Sequence, residues 1–434
     1  MNSKWLVMGI FGVWILLIMT AFMKYSLTYD PFFGNTRNVI NRHQARGDIK
    51  DRKGETLAYG SGANRKYTIG PAGGATIGVA RPEIGVEGFI EKEFGERLVS
   101  SKKSKMSYFL NQNEEGYPLK TTIDKGMQLA AYKAMNGYKG AVVIIKMNGE
   151  GLVSVSTPSY DPNKMSSKYY EELRNSSDKL LFNRALDGKY EPGSVWKTIV
   201  AISLLEKKSE GKPVLCNGQL IVGNKTIHCM HSHGSVKNIE DAFAQSCNVW
   251  FMKNAIAELD SDTLKKISNH FTSRKIKKEL SQADIAMTAI GQGEVQASPM
   301  ELAQLAAAIG NKGFKPEPRF VKENISTSKV FDEKTAAKLT EMMTQVVKRG
   351  TGKGLSTFLK SGYLIAAKTG TAERDTPNGK INTAVLIGFA GHKKDKPEIA
   401  FSVVIEETTG LSGTVCVPVM KEILGSYFSP INGK

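Results

Sequence analysis

The chain has 434 residues, 41% hydrophobic and 23% charged, enough for two or three domains around a substantial core, and this excludes an intrinsically disordered protein. A formal net charge of +17 asks for acidic partners. Four cysteines are too few for a disulfide scaffold, and no Gly-rich phosphate loop of P-loop or dinucleotide type is present.

The first element is the uncharged run WLVMGIFGVWILLIMTAFM, residues 5–23. As a helix rising about 1.5 Å per residue it would cover most of a bilayer core of roughly 30 Å. Its apolar core is long for a signal peptide, and no A-x-A-like cleavage site follows. The sequence therefore predicts a single uncleaved anchor in the cell membrane, with residues 1–4 as a cytoplasmic tail and everything from about Lys24 outside the cytoplasm. There the basic surface would meet anionic lipid and acidic wall polymers, and nucleic acid is not an expected partner.

Residues 24–118 are polar and Gly-rich with short apolar pieces, which predicts a small, irregular, β-containing module. In TTIDKGMQLAAYKAMNGY, Thr122 is placed to cap a helix running through Tyr132–Met135. Two β-rich runs then flank Asn148-Gly149, a hairpin signal. A helix is predicted from Ser194, a helix pair or broken helix over NIEDAFAQSCNVWFMKNAIAEL, and a helix capped by Ser298, with Pro299 in its first turn and Gly310 at its end. SGYLIAAKTGTAE, NTAVLIGFAG and EIAFSVVIEE read as strands, and VPVMKEILGSYF as a closing helix. Helices between strand-rich ends predict an α+β domain over residues 119–434, in which strands from both ends share one antiparallel sheet.

Three short motifs carry the chemistry. In EPGSVWKTIV, Ser194 and Lys197 stand three residues apart at the head of an apolar helix, so both side chains lie on one face. A serine needs a base, and a lysine becomes one when burial or a neighbouring cation depresses its pKa. The first helical turn adds unpaired N–H groups suited to an oxyanion. The spacing alone is weak, because Ser100/Lys103, Ser176/Lys179 and Ser326/Lys329 share it in polar surroundings. Two further elements raise its weight. Ser246-Cys247-Asn248 is the only Ser-x-Asn in the chain and lies in an apolar stretch, where a hydroxyl and an amide need partners. Lys368-Thr369-Gly370-Thr371 holds the only Lys-Thr-Gly and interrupts a β run.

The three motifs together match the Ser-x-x-Lys, Ser-Asp-Asn and Lys-Thr-Gly set of penicillin-binding proteins and class A β-lactamases. The chain resembles a class B penicillin-binding protein of the shorter sub-type. RGDIKDRKGETLA, KGAVVIIKMNGEGLVSVSTPSYDPN, FNRALDGKYEPGSVWK, AIGQGEVQASPMELAQLAAAIGNKG and AAKTGTAE follow that family's order over residues 36–430. The resemblance implies a penicillin-binding transpeptidase, serine β-lactamase-like α+β fold, preceded by a pedestal or dimerisation-like module and one transmembrane helix. It implies a peptidoglycan D,D-transpeptidase that cross-links stem peptides ending in D-Ala-D-Ala and is acylated by β-lactams. Ser194 would be the nucleophile and Lys197 its base. Ser246 and Asn248 would relay the proton and hold Lys197 and the substrate amide, while Lys368, Thr369, Gly370 and Thr371 would bind substrate or β-lactam. The N–H groups of Ser194 and Thr371 would form the oxyanion hole.

The same resemblance implies no cofactor and a polytopic membrane glycosyltransferase as partner, of the elongation, division or sporulation machinery. A β-lactamase would need a deacylation carboxylate that no context marks, and a β-lactam sensor would need a cytoplasmic effector. Cys247 stands where the common pattern has Asp, and it is expected to point away from the cleft. The stretch holding Cys216, His228, Cys229, His231 and His233, with Cys247 beyond it, leaves open a structural metal, a Cys216–Cys229 disulfide, or plain thiols.

Overall fold

The structure is a computed structural model that describes residues 12–21, 45–99, 116–223, 225–323, 326–377 and 379–429. Strands β1 (Lys139–Lys146) and β2 (Gly151–Thr157) form the hairpin expected around Asn148-Gly149. Far along the chain come β3 (Leu364–Thr376), β4 (Gly379–Gly391) and β5 (Ile399–Thr408). All five join in one antiparallel sheet of order β3-β4-β5-β1-β2, so the two ends of the domain do share a sheet.

Seven helices matter for the site: α1 (Lys125–Ala134), α2 (Lys197–Glu206), α3 (Ile239–Gln245), α4 (Asn248–Glu258), α5 (Pro299–Gly310), α6 (Glu333–Arg349) and α7 (Ser412–Phe428). They cover both faces of the sheet. Val143, Ile145, Val385, Ile387 and Phe389 point into a core shared with α2 to α6, while Val142, Ile144, Leu386, Phe401 and Val403 point into a second core shared with α1 and α7. Double burial explains why these strands read as nearly continuous apolar runs instead of alternating ones. Helix α2 lies inside the first core, with every residue from Lys197 to Leu204 buried.

Local signals set most helix ends. Ser298 and Glu301 form a reciprocal capping box, with Pro299 in the first turn of α5. The expected cap on α1 is corrected: Asp124, not Thr122, accepts from the Met127 N–H at 3.2 Å. Thr122 instead donates to the carbonyl of Gly151 at 2.8 Å, tying the start of β2 to the chain before α1. A carboxylate is the better group at the positive end of a helix, and the helix starts where it stands.

Residues 45–99 carry short strands, and three of them, Ile49–Lys50, Thr56–Tyr59 and Lys66–Tyr67, form a small sheet completed by Leu119–Lys120. Its core, with Leu57, Ile77 and Val79, also takes in Tyr160, Leu173 and Val321. Arg65 and Glu91, both fully buried, form an ion pair there, and Arg46 Nε donates to the other Glu91 oxygen at 2.7 Å.

The expected membrane span, residues 5–23, lies largely outside the described residues. Residues 12–21 are helical, and among the described residues no helix is long and apolar enough to cross a membrane.

Candidate active site

Pro192 turns the chain into a short 3-10 turn, Gly193–Trp196, that leads directly into α2. Gly193 has φ +53°, and a Cβ on it would lie 2.6 Å from the Thr371 carbonyl oxygen. A Cβ on Gly370 would lie 2.7 Å from the Val195 nitrogen. The two glycines thus let the edge strand β3 approach the Ser194 turn more closely than any side chain would allow. Gly193 and Gly370 bring the first and third motifs together.

The second motif sits at the break between α3 and α4. Ser246 adopts φ 57° and ψ 39°, a left-handed conformation that costs a non-glycine residue on the order of 1 kcal/mol. That turn ends α3 and starts α4 at Asn248, so the hydroxyl of Ser246 and the amide of Asn248 converge on one ammonium.

Lys197 Nζ lies 3.0 Å from Ser194 Oγ, 3.2 Å from Ser246 Oγ, 2.6 Å from the Ser246 carbonyl oxygen and 2.6 Å from Asn248 Oδ1. Two of these four atoms, the carbonyl and amide oxygens, can only accept, whereas the hydroxyls can do either. A neutral lysine amine has two N–H donors and one lone pair. The two short contacts take both N–H groups, which leaves the lone pair for the Ser194 hydroxyl proton. Asn248 is held in the required orientation because its Nδ2 donates to the His228 carbonyl at 2.7 Å.

Lys368 Nζ donates to Ser246 Oγ at 3.1 Å and to the Thr369 carbonyl at 3.0 Å. Ser246 Oγ therefore bridges the two lysines. Both lysines are fully buried, and among the described residues neither has a carboxylate ion-pair partner. Burial lowers the Lys197 ammonium to about 8, with the nearby cysteines partly opposing the shift. Burial, and then repulsion from Lys197, brings Lys368 well below the usual lysine range. The rings of Phe251 and Phe243 lie 5.8 Å and 5.3 Å from Lys197 and Lys368, contacts that favour the ammonium form and act against the effect of burial.

All eight residues singled out in the sequence meet at this cleft. Ser194 and Ser246 are half-buried, Thr369 is buried with its hydroxyl bonded to that of Thr351, and Thr371 Oγ1 accepts from the Ser412 N–H at 3.3 Å. Thr351, the His228 carbonyl and the two phenylalanines were not singled out from the sequence. No local pattern marks a lone threonine between helices, or a backbone oxygen, as part of a site.

Behind the Ser-Cys-Asn turn lies a separate group. Cys247 is fully buried and caps α4 by accepting from the Trp250 N–H at 3.4 Å. Cys216, Cys229, His233 and Cys247 bring their ligand atoms within 4.8 Å of one another. All four cysteines are free thiols, and the sulfurs of Cys216 and Cys229 are 3.7 Å apart. A hydrogen bond from Cys247 holds the Cys229 thiol down, and that same contact together with burial pushes Cys247 up.

The family model of the penicillin binding protein transpeptidase domain matches residues 140–425. Peptidoglycan D,D-transpeptidase PbpA of Mycobacterium tuberculosis is 26% identical over 482 residues, covering 94% of this chain and 95% of its own length. Peptidoglycan D,D-transpeptidase FtsI of Escherichia coli is 26% identical, over 85% of this chain and 68% of its own. The fold matches penicillin-binding protein A of M. tuberculosis, solved as a penicillin G acyl-enzyme complex, with a TM-score of 0.76, 24% identity, and coverage of 88% of this chain and 99% of that one. It also matches Pseudomonas aeruginosa PBP2, solved with WCK 5153, with a TM-score of 0.70 at 26% identity over 90% of this chain and 98% of that one. A model match over most of the chain, on a cleft that joins the three motifs, decides the family: the chain belongs to the penicillin-binding protein transpeptidases, among the class B peptidoglycan D,D-transpeptidases.

Proposed function

We propose that this chain is a membrane-anchored enzyme that cross-links peptidoglycan stem peptides through an acyl-enzyme on Ser194, and that β-lactams acylate the same oxygen. The observation that carries the reading is the buried Lys197 amine, 3.0 Å from Ser194 Oγ, with two carbonyl-type acceptors at 2.6 Å fixing its other valences.

In the first half-reaction Lys197 takes the Ser194 proton as Oγ attacks the carbonyl of the penultimate D-alanine. The tetrahedral oxyanion is stabilised by the N–H groups of Ser194 and Thr371, a reading supported by the close approach of the two motifs at Gly193 and Gly370. Ser246 Oγ, between the two lysines, passes the proton toward the leaving amine, and D-alanine departs. An amine of a neighbouring stem then attacks the ester, gives up its proton by the reverse route and releases Ser194. Lys368, to which an incoming carboxylate would bring the counter-ion that its buried amine lacks and so favour its ammonium form, makes with the hydroxyls of Thr369 and Thr371 the hydrogen-bonding end for the terminal carboxylate, while the extended donor peptide lies along the edge of β3. A β-lactam carboxylate would use the same end.

Residues 5–23 are read as the anchor, residues 1–4 as the cytoplasmic tail, 24–118 as the pedestal module and 119–434 as the transpeptidase domain, with a membrane glycosyltransferase supplying the glycan strands. The test is intact-protein mass after incubation with a fluorescent penicillin. Wild type should gain one stable adduct and Ser194→Ala none; equal labelling overturns the nucleophile. Rapid turnover of a chromogenic cephalosporin would point to a hydrolase instead.

A further inference from the structure

We propose that Cys216, Cys229, Cys247 and His233 bind one zinc ion, and that this ion positions the Ser246-Cys247-Asn248 turn. The four ligands come from separate pieces of chain. Cys216 ends the strand Val214–Cys216, Cys229 follows the strand Lys225–His228, His233 precedes the strand Gly234–Val236, and Cys247 stands between α3 and α4. The pairing of Cys216 with Gly234 brings the first and third together, and the Cys229 N–H, bonded to the Gly218 carbonyl at 2.8 Å, folds the second onto them.

Two separations match the edges of a zinc tetrahedron, and all four ligand atoms lie within 4.8 Å of one another. With zinc–sulfur bonds of about 2.3 Å and a zinc–nitrogen bond of about 2.0 Å, the edges are about 3.8 Å between sulfurs and about 3.5 Å between sulfur and nitrogen. Cys216 Sγ lies 3.7 Å from Cys229 Sγ and 3.4 Å from His233 Nδ1. The ring's other nitrogen is buried without a hydrogen-bond partner among the described residues, so the sulfurs are the polar surroundings of this imidazole. Three thiolates and one imidazole are a donor set for structural zinc, and each cysteine that enters as a thiol releases its proton to solvent. A Cys216–Cys229 disulfide would use two of the four groups and leave Cys247 and His233 facing it with no role.

The functional consequence follows from two links, and it rests on the reading of Asn248 given above. Cys247 lies between the two residues that contact Lys197, and His228, the neighbour of Cys229, offers the carbonyl that orients the Asn248 amide. An ion bonded to Cys229 and Cys247 would fix both ends of that contact. Cys247 and Cys229 are positioning residues in this scheme.

Elemental analysis of the purified full-length chain tests the site directly, with about one zinc per chain expected. His233→Ala and Cys229→Ser should lose the metal, whereas His233→Cys, which keeps four ligands, should retain it. Replacement with cobalt should give thiolate-to-cobalt charge transfer and tetrahedral visible bands. Absence of stoichiometric metal, or loss of two thiols to a Cys216–Cys229 disulfide, overturns the site. For the positioning role, protein stripped by a chelator and still folded by circular dichroism should be acylated by penicillin about 10- to 100-fold more slowly, with zinc restoring the rate. An unchanged rate overturns that role, and so does unfolding of the whole chain on stripping, which would make the ion purely structural. Metal content does not depend on whether Ser194 is the nucleophile, so the two readings fail separately.

Discussion

The module before the sheet and the cleft beside it both bury cations completely, and they handle them in opposite ways. Around Glu91, two guanidinium groups are set against a carboxylate that accepts from both. In the cleft, two lysines share a hydroxyl and several neutral acceptors, with no carboxylate partner among the described residues. A compensated buried charge keeps its proton and ties chain segments together. An uncompensated one is cheaper to neutralise than to keep, and a lysine brought down to about 8 is a usable base near neutral pH. Arginine could not serve in the cleft, because its pKa above 12 keeps it charged in either setting.

The largest effects break this contrast at the cleft. Ser194→Ala should abolish the penicillin adduct, read by intact mass. Lys197→Met should lower the acylation rate by about 10³-fold or more while leaving the urea midpoint unchanged or raised, since it swaps a buried amine without a counter-ion for an apolar chain of similar length. A large loss of stability in Lys197→Met would mean that the lysine is a structural member like Arg65.

Glu91→Gln should do the reverse. It leaves Arg65 fully buried beside a neutral amide and should cost about 3–5 kcal/mol in urea unfolding, because breaking one side of a buried pair strands the other charge. The rate of penicillin acylation in the protein that remains folded should be unaltered. Asn248→Ala is the intermediate case. It removes a 2.6 Å acceptor from Lys197 and the tie to the His228 carbonyl, and should slow acylation by about 10- to 100-fold, the value of a hydrogen bond to the ammonium that Lys197 becomes as it takes the proton.

Much of this was legible in the sequence, for identifiable reasons. The hairpin at Asn148-Gly149 and the box at Ser298 are local signals, and the structure keeps them because their tertiary partners add to the local bonds without displacing them, as where Glu301 also accepts from Lys189 and Gly149 from Arg319. The break between α3 and α4 could be expected from the polar Ser-Cys-Asn inside an apolar run, but not its left-handed Ser246, whose hydroxyl meets Lys197 and Lys368, partners 49 and 122 residues away. Thr122 misled because its spacing suits a cap while its hydroxyl is claimed by Gly151, 29 residues away. The four ligands of the cysteine cluster were all visible as letters. Their convergence depends on the pairing of Cys216 with Gly234, which no local pattern encodes.

Thr351→Val gives the smallest effect and the finest form of the comparison, because it removes a neutral partner, not a charge. The Thr351 hydroxyl bonds that of Thr369, which is 95% shielded from solvent on the strand that also carries Lys368. Valine keeps the shape of threonine, so the loss is one hydroxyl pair, about 0.5–1.5 kcal/mol. If Thr369 helps to receive a carboxylate, that loss should appear in the concentration dependence of penicillin acylation, about 2- to 10-fold weaker, with the limiting rate unchanged. A fall in the limiting rate instead would show that Thr351 acts through the geometry of Lys368, and the two lysines would then be coupled to the helix face behind β3 as well as to each other.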